Sequence, residues 1–418
     1  MNLKLPNMRN LLFISILFLL LTSSCQQEKS ANALAGIGIN QNANIPILLD
    51  RHEALRQGKE WDNVQNYYGT WRQELIADPK ALEPRYKLAA LFIQEARVTG
   101  EHPHYYPAAL QMLNEILEAK PTNKDLLFRA LSAKAAVELS LHEFGKALVT
   151  AQEAVKINPY NAQLYGVLVD AHVELGQYPQ AVEMADKMVS VRPDLRSYSR
   201  VSYVREIYGQ VDGAKEMLEL AAKAGIPGQE ARSWALLTLG KLYHIYGEPE
   251  KARSLFEGIL TERPDYPFAI AALGELDLEQ KKYDQAEKQL KRAVEIIPEV
   301  GFYEALAQLY RETGRNAEYE KLIPQIETMM QEDSEKGHNM RMEQALLYSD
   351  LALDLDKALA FAKEEYIKRP DNIDVNRLLA RIYAKRGEKS LAFQHLEKAQ
   401  VTGSKHPELK EIKKMLGS

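Results

Sequence analysis

A period of 34 residues limits this chain more than any other feature of its sequence. Between Ser233 and Pro298, the series Leu236, Leu239, Gly240, Tyr243, Ala252, Phe256, Pro264 is followed by Ile270, Leu273, Gly274, Ala286, Leu290, Pro298, and equivalent positions lie 34 apart. A fixed spacing of that length marks a stack of supersecondary units. Leu236, Leu239, Gly240 and Tyr243 share one face of a helix, and Ala252, Phe256 and Ile259 share one face of a second. Gly240 and Ala252 are small where the two helices would cross, a point at which a larger side chain costs roughly 1–3 kcal/mol. Gly247 suits a left-handed helix end, and Pro264-Asp265 stops one hairpin and caps the next. Each unit is a helical hairpin with one apolar side unfilled, so it needs neighbours.

The pattern extends in both directions. Hairpins close at Pro159, Pro193, Pro227, Pro264, Pro298, near Glu332, and at Pro370, while Ala147, Ala181, Ala214, Ala252, Ala286, Ala358 and Ala392 open the second helices. Tyr319 takes that place in the unit from Glu299. The first unit, Ile47 to Asp78, is worn: a helix is expected through Gln57, then a break at Gly58 and a second helix carrying Trp61, Val64, Tyr68 and Trp71. The run from Gly100 to Tyr105 reads as an inserted loop, and a final helix, His406 to Leu416, has Leu409, Ile412 and Leu416 on one stripe. No strand-like alternation of useful length appears. Length alone, 418 residues, would suggest two or three globular domains; the repeat overrides that prior.

These spacings resemble the tetratricopeptide repeat, with Leu236 in place of its tryptophan in the first copy and Asp277 in place of its tyrosine in the second. The resemblance implies an all-α fold, an α-solenoid in which about ten helical hairpins form a right-handed superhelix whose concave groove is lined by the first helix of each pair. A capping helix would end it. Each hairpin is expected to touch only the adjacent ones.

At the N-terminus, Lys4 and Arg9 precede an apolar run, Leu11 to Leu21, and then Thr22, Ser23, Ser24 and Cys25. That order is a secretory signal. The run is about half the roughly 20 residues a spanning helix needs. Leu21-Thr22-Ser23-Ser24-Cys25 resembles a bacterial lipoprotein box, although Thr22 stands where the family prefers leucine. The resemblance implies cleavage before Cys25 and lipidation of that residue. Gln26, in place of an aspartate there, implies the outer membrane, and a periplasm-facing body is the expectation, with surface exposure left open. The expected layout is a signal at 1–24, a Gln-, Asn- and Gly-rich linker at 25–46, the solenoid at 47–404 and the cap at 405–418.

The formal net charge is −5, and removing Lys4 and Arg9 makes the mature chain more acidic. Clustered Lys and Arg for phosphate neutralisation are missing, so nucleic acid is not the expected partner. One cysteine rules out a thiolate metal cluster within the chain. His102 and His104 lie two apart beside Glu101, which is too few ligands for a metal, and His172, His244 and His395 sit beside apolar stripes as packed side chains. No nucleophile elbow, phosphate-binding loop or dinucleotide fingerprint occurs, and no cofactor is expected.

The groove is therefore the expected site. Helical spacing along successive first helices points Arg196, Ser199, Tyr203 and Glu206 inward, then Trp234, Leu237, Lys241 and His244, then Phe268, Ala271, Glu275 and Leu278, then Glu304, Gln308 and Arg311. Aromatic anchors beside charged groups suit a peptide or helix of a partner protein. The Lys and Asn set with which chaperone-binding relatives grip a terminal carboxylate is missing. The expectation is a non-catalytic, envelope-tethered scaffold that binds a segment of another envelope protein. Two alternatives stand beside it: an enzyme acting on glycan or peptide through Glu206, Glu275 and Glu304, and a structural subunit of an outer-membrane assembly.

Overall fold

The computed structural model describes residues 44–56 and 58–417, and among them the chain is twenty α-helices with a single 3₁₀ turn and no strand. Helix α1 (Glu60–Ala77) stands first. Nine hairpins follow: α2 (Leu82–Thr99) with α3 (His102–Glu118), α4 (Lys124–Ser140) with α5 (Phe144–Ile157), and α6 (Ala162–Glu174) with α7 (Tyr178–Val191). Next are α8 (Leu195–Ile207) with α9 (Val211–Ala224), α10 (Glu230–Ile245) with α11 (Pro249–Glu262), and α12 (Pro267–Glu279) with α13 (Tyr283–Ile296). The last three are α14 (Val300–Glu312) with α15 (Asn316–Glu335), α16 (Arg341–Asp350) with α17 (Leu355–Lys368), and α18 (Ile373–Lys385) with α19 (Lys389–Ala399). Helix α20 (Glu408–Leu416) buries Leu409, Ile412 and Leu416 against the last hairpin and closes the array. The fold is an all-α repeat solenoid. The expected signal, Cys25 and all but the last three residues of the expected linker lie outside the described residues.

The hairpins close for the reasons the sequence suggests. A Cβ on Gly240 would sit 2.3 Å from the Phe256 ring, and one on Gly274 would sit 2.8 Å from Leu290 Cγ, so glycine is needed where the helices cross. Ala252 and Ala286 are fully buried opposite them. Asn123, Asn161, Asp194 and Asn372 cap first helices by accepting backbone N–H groups.

Three local expectations are corrected. The first unit has no first α-helix: residues 44–52 are irregular and Glu53–Leu55 is one 3₁₀ turn. The run from Gly100 is not a loop, because Gly100 ends α2 in the left-handed region and α3 starts at His102, with Pro103 tolerated in its first turn. The extra residues lengthen α2 and α3 to 18 and 17 residues, where later hairpin helices mostly have 13 or 14. Likewise α15 runs 20 residues, past the hairpin end expected near Glu332.

The largest departure is that hairpins do not touch only their neighbours. Hairpin tips in the first half meet inter-hairpin loops in the second half at a nearly constant separation. Asn339 N–H donates to the Leu141 carbonyl at 2.9 Å, and His142 Nδ1 lies 3.1 Å from the Asn339 carbonyl, 197 residues on. Ile373 N–H donates to the Tyr178 hydroxyl at 2.7 Å and Asn372 Nδ2 to the Glu174 carbonyl at 3.1 Å, separations of 195 and 198. Arg369 pairs with Glu174, and Thr402 Oγ1 donates to the Ile207 carbonyl at 2.7 Å, again 195 residues apart. A separation slightly below six repeat lengths means that the spiral completes a turn in that distance and the next turn rests on it. Close approach is built in: a Cβ on Gly176 would lie 2.5 Å from the Asp371 backbone, and one on Gly209 would lie 2.4 Å from the Gly403 carbonyl. A nearest-neighbour repeat pattern carries no signal for this seam.

Candidate functional site: the inner wall of the spiral

Three successive first helices, α12, α14 and α16, enclose a cavity of about 430 Å³. Glu275, Leu278 and Glu279 come from α12; Gly301, Glu304, Ala305, Gln308 and Arg311 from α14; Leu346, Leu347 and Asp350 from α16, with Leu351 at its end. Helical spacing places each set on one face. Second helices contribute nothing, as expected of an inner wall.

Most polar groups here already have partners. Arg311 Nη1 donates to the Asp350 carbonyl at 2.5 Å, which sets a cation on the C-terminus of α16. The Asp350 carboxylate receives Lys385 at 2.8 Å and Arg381 at 2.9 Å. His244 Nε2 lies 2.7 Å from Glu279 Oε2, and that hydrogen bond holds the imidazole above the usual histidine range. Gln308 donates to Glu312 at 3.0 Å. Glu275 and Glu304 are the exception, since neither has a hydrogen bond or ion pair. Enclosure by the cavity walls pushes the Glu275 carboxyl up, with Lys241 opposing. Enclosure also pushes Glu304 up, to about 7, helped by repulsion from Glu343, Asp350 and Glu275.

Beside the cavity runs an aromatic ladder in one repeat register. Trp234 stands edge-on to Phe268 with centroids 5.6 Å apart, and Phe268 stands 5.6 Å from Phe302. Trp234 is 49% exposed, Phe268 is partly buried and Phe302 is buried, so exposure falls along the ladder. Phe268 and Glu275 are seven residues apart on α12, two turns along the same face.

The inward residues therefore divide into groups. Glu275, Glu304, Gln308 and Arg311 meet in the cavity, Lys241 and His244 flank it, and Trp234 and Phe268 form the ladder. Arg196, Tyr203 and Glu206 lie elsewhere. Arg196 is exposed beside Gln163; Tyr203 donates to Glu174 at 3.1 Å and Glu206 accepts from Tyr246 at 3.0 Å. Glu174 also pairs with Arg369 across the seam, and burial holds its carboxyl at about 7. Tyr203 thus belongs to the internal network of the seam.

Sequence reasoning missed Glu279, Asp350 and the three leucines near the end of α16. The signal for Asp350 and the leucines was the repeat phase, which the lengthened α15 obscures; Glu279 lies four residues after Glu275, one turn along the same face of α12. It also missed a histidine cluster at the seam. His102 stacks on Tyr106, and its ring lies 6.4 Å from that of His338, which lies 4.6 Å from His142; burial lowers His102 to about 4. No three or more His, Cys, Asp or Glu among the described residues are arranged to hold a metal ion. No helix among them is long and apolar enough to cross a membrane.

Residues 243–311, which include most of this wall, match the family model for the tetratricopeptide repeat. No curated protein matches the chain. Among solved structures it is similar to human IFIT1 in a dimer with PPP-AAAA, at 13% identity over 81% of this chain and 85% of that one, with a TM-score of 0.44. It is similar to the APC/C Cut9–Hcn1 hetero-tetramer at 15% identity over 86% of this chain and 66% of that one, TM-score 0.42. A tetratricopeptide repeat protein from Parabacteroides merdae gives 18% identity, 70% and 99% coverage and a TM-score of 0.37. The 34-residue period, the glycine-dependent helix crossings and the match over residues 243–311 converge: this chain carries tetratricopeptide repeats, a fold that suggests a protein–protein interaction scaffold.

Proposed function

We propose that this protein is a non-catalytic scaffold of the bacterial cell envelope, an outer-membrane lipoprotein that holds a segment of a partner protein against the inner wall. The observation that carries the reading is a cavity with uncommitted polar groups on the same inner wall as the half-exposed Trp234, which leads an aromatic ladder ending at Phe302, next in sequence to the cavity residue Gly301. An exposed aromatic anchor next to a recess with uncommitted polar groups is how a groove fixes a peptide. The tether rests on the order of basic, apolar and small residues before Cys25, with Gln26 favouring the outer membrane. The Gln-, Asn- and Gly-rich stretch 25–46 serves as the linker between the lipid and the body.

Photo-crosslinking in living cells tests both halves. A benzophenone side chain at position 234 is expected to capture one discrete envelope protein. The same group at Val149, 56% exposed on a second helix, should capture none. Cys25→Ser should move the protein from the membrane to the soluble fraction. Equal capture from both positions would remove the groove reading, and continued membrane association of Cys25→Ser would remove the tether.

A further inference from the structure

Within that reading, which this step rests upon, we infer that the partner segment inserts a basic side chain, an arginine or a lysine, into the cavity between Glu275 and Glu304. Every other charge lining the cavity is committed: Glu279 to His244, Asp350 to Lys385 and Arg381, and Arg311 to a backbone carbonyl. Lys241 and His244 act on Glu275 only at a distance, and neither forms an ion pair with it. What remains is two partly buried carboxylates, neither of them in a hydrogen bond or an ion pair. An anionic or purely apolar occupant would bury them further with nothing to offset the desolvation. A guanidinium or ammonium group forms charge-assisted hydrogen bonds with both. The volume, about 430 Å³, admits one long side chain with part of its backbone. Trp234, at the exposed end of the aromatic ladder, meets the partner segment farther along the wall, outside the cavity.

Protons follow from the same geometry. Glu304 faces Glu275 on α12 and Glu343 and Asp350 on α16; Arg311 lines the same cavity from its own helix, and Lys241 and His244 on α10 act on Glu275. These surroundings hold Glu304 near 7, so its carboxyl takes up a proton as the pH falls through neutrality. A cation binds the ionised form and displaces that proton. Affinity therefore weakens by about tenfold for each unit the pH falls below 7, and levels off above it.

The test uses the lipid-free mature chain and immobilised heptapeptide pools of otherwise random sequence, with the central residue fixed as arginine, lysine, citrulline, norleucine or glutamate. The expected result is at least tenfold greater retention on the arginine and lysine pools than on the other three. That preference should weaken below pH 7 and vanish in E275Q/E304Q. Retention that ignores the fixed residue but falls in W234A would leave the groove standing and overturn the basic side chain. No retention on any pool would count against both. If E275Q/E304Q fails to fold by circular dichroism, the arginine-to-citrulline ratio of the unmodified chain still decides the matter, and a ratio near one overturns the inference.

Discussion

Arg51→Met is expected to lower the stability of the N-terminal end of the array by about 3–5 kcal/mol, the usual result of removing one partner from a buried ion pair. Arg51 is fully buried, as is Glu95, and the two form a bidentate pair at 2.8 and 2.6 Å. The same guanidinium donates to the Leu55 carbonyl at 3.2 Å and to Glu60 at 3.3 Å, and lies 5.1 Å above Trp61. It thus ties the irregular segment 44–56 and helix α1 onto α2. Methionine keeps the bulk but strands the Glu95 carboxylate in the core. The double replacement R51M/E95L removes both charges and should recover most of the loss. Amide hydrogen exchange over residues 60–99 is the suitable readout, because repeat arrays open locally. A loss below about 1 kcal/mol in the single variant would mean that the pair does not anchor this end.

The second large effect is expected at the seam. Gly176 and Gly314 have nearly the same left-handed backbone, φ +74° and +71°, so an added Cβ costs each the same conformational penalty of about 1–2 kcal/mol. Their surroundings differ. Nothing lies within 4 Å of a Cβ on Gly314, whereas one on Gly176 would collide with the Asp371 backbone at 2.5 Å. Gly176→Ala should therefore cost a further 1–3 kcal/mol or so of overpacking, relieved by the turns moving apart. Exchange at Ile373 and Asn339, whose N–H groups donate across the seam, should accelerate in Gly176→Ala and not in Gly314→Ala. Equal behaviour of the two variants would show that the turns do not bear on each other there.

Much of the fold was legible in the chain because a nearest-neighbour architecture writes itself into spacing. Gly240, Gly274 and the recurring alanines announce the helix crossings, and Leu409, Ile412 and Leu416 announce the cap. Part of the inner wall was legible for the same reason: Glu275, Glu304, Gln308 and Arg311 follow helical spacing into one cavity, and Trp234 and Phe268 meet at 5.6 Å. The rest was hidden by two effects. An unpatterned lengthening, as in α15, shifts the phase and conceals what α16 contributes. The seam depends on the small rotation from one hairpin to the next, which no residue encodes alone. Tyr203 shows the consequence, since its inward position was readable but its engagement with Glu174, and through it with Arg369, was not. His102, His142 and His338 meet only because the turns stack.

The chain winds back upon itself so that one turn of the spiral rests on the next, and a single cysteine pair tests it. In a chain whose only native cysteine, Cys25, is replaced by serine, cysteines are placed at His142 and Asn339, 197 residues apart and joined by a contact of 3.1 Å. Mild oxidation should close an intramolecular disulfide in the monomer, seen as faster migration in non-reducing electrophoresis. Thiols that stay reduced, or that link only one molecule to another, would contradict the stacked turns.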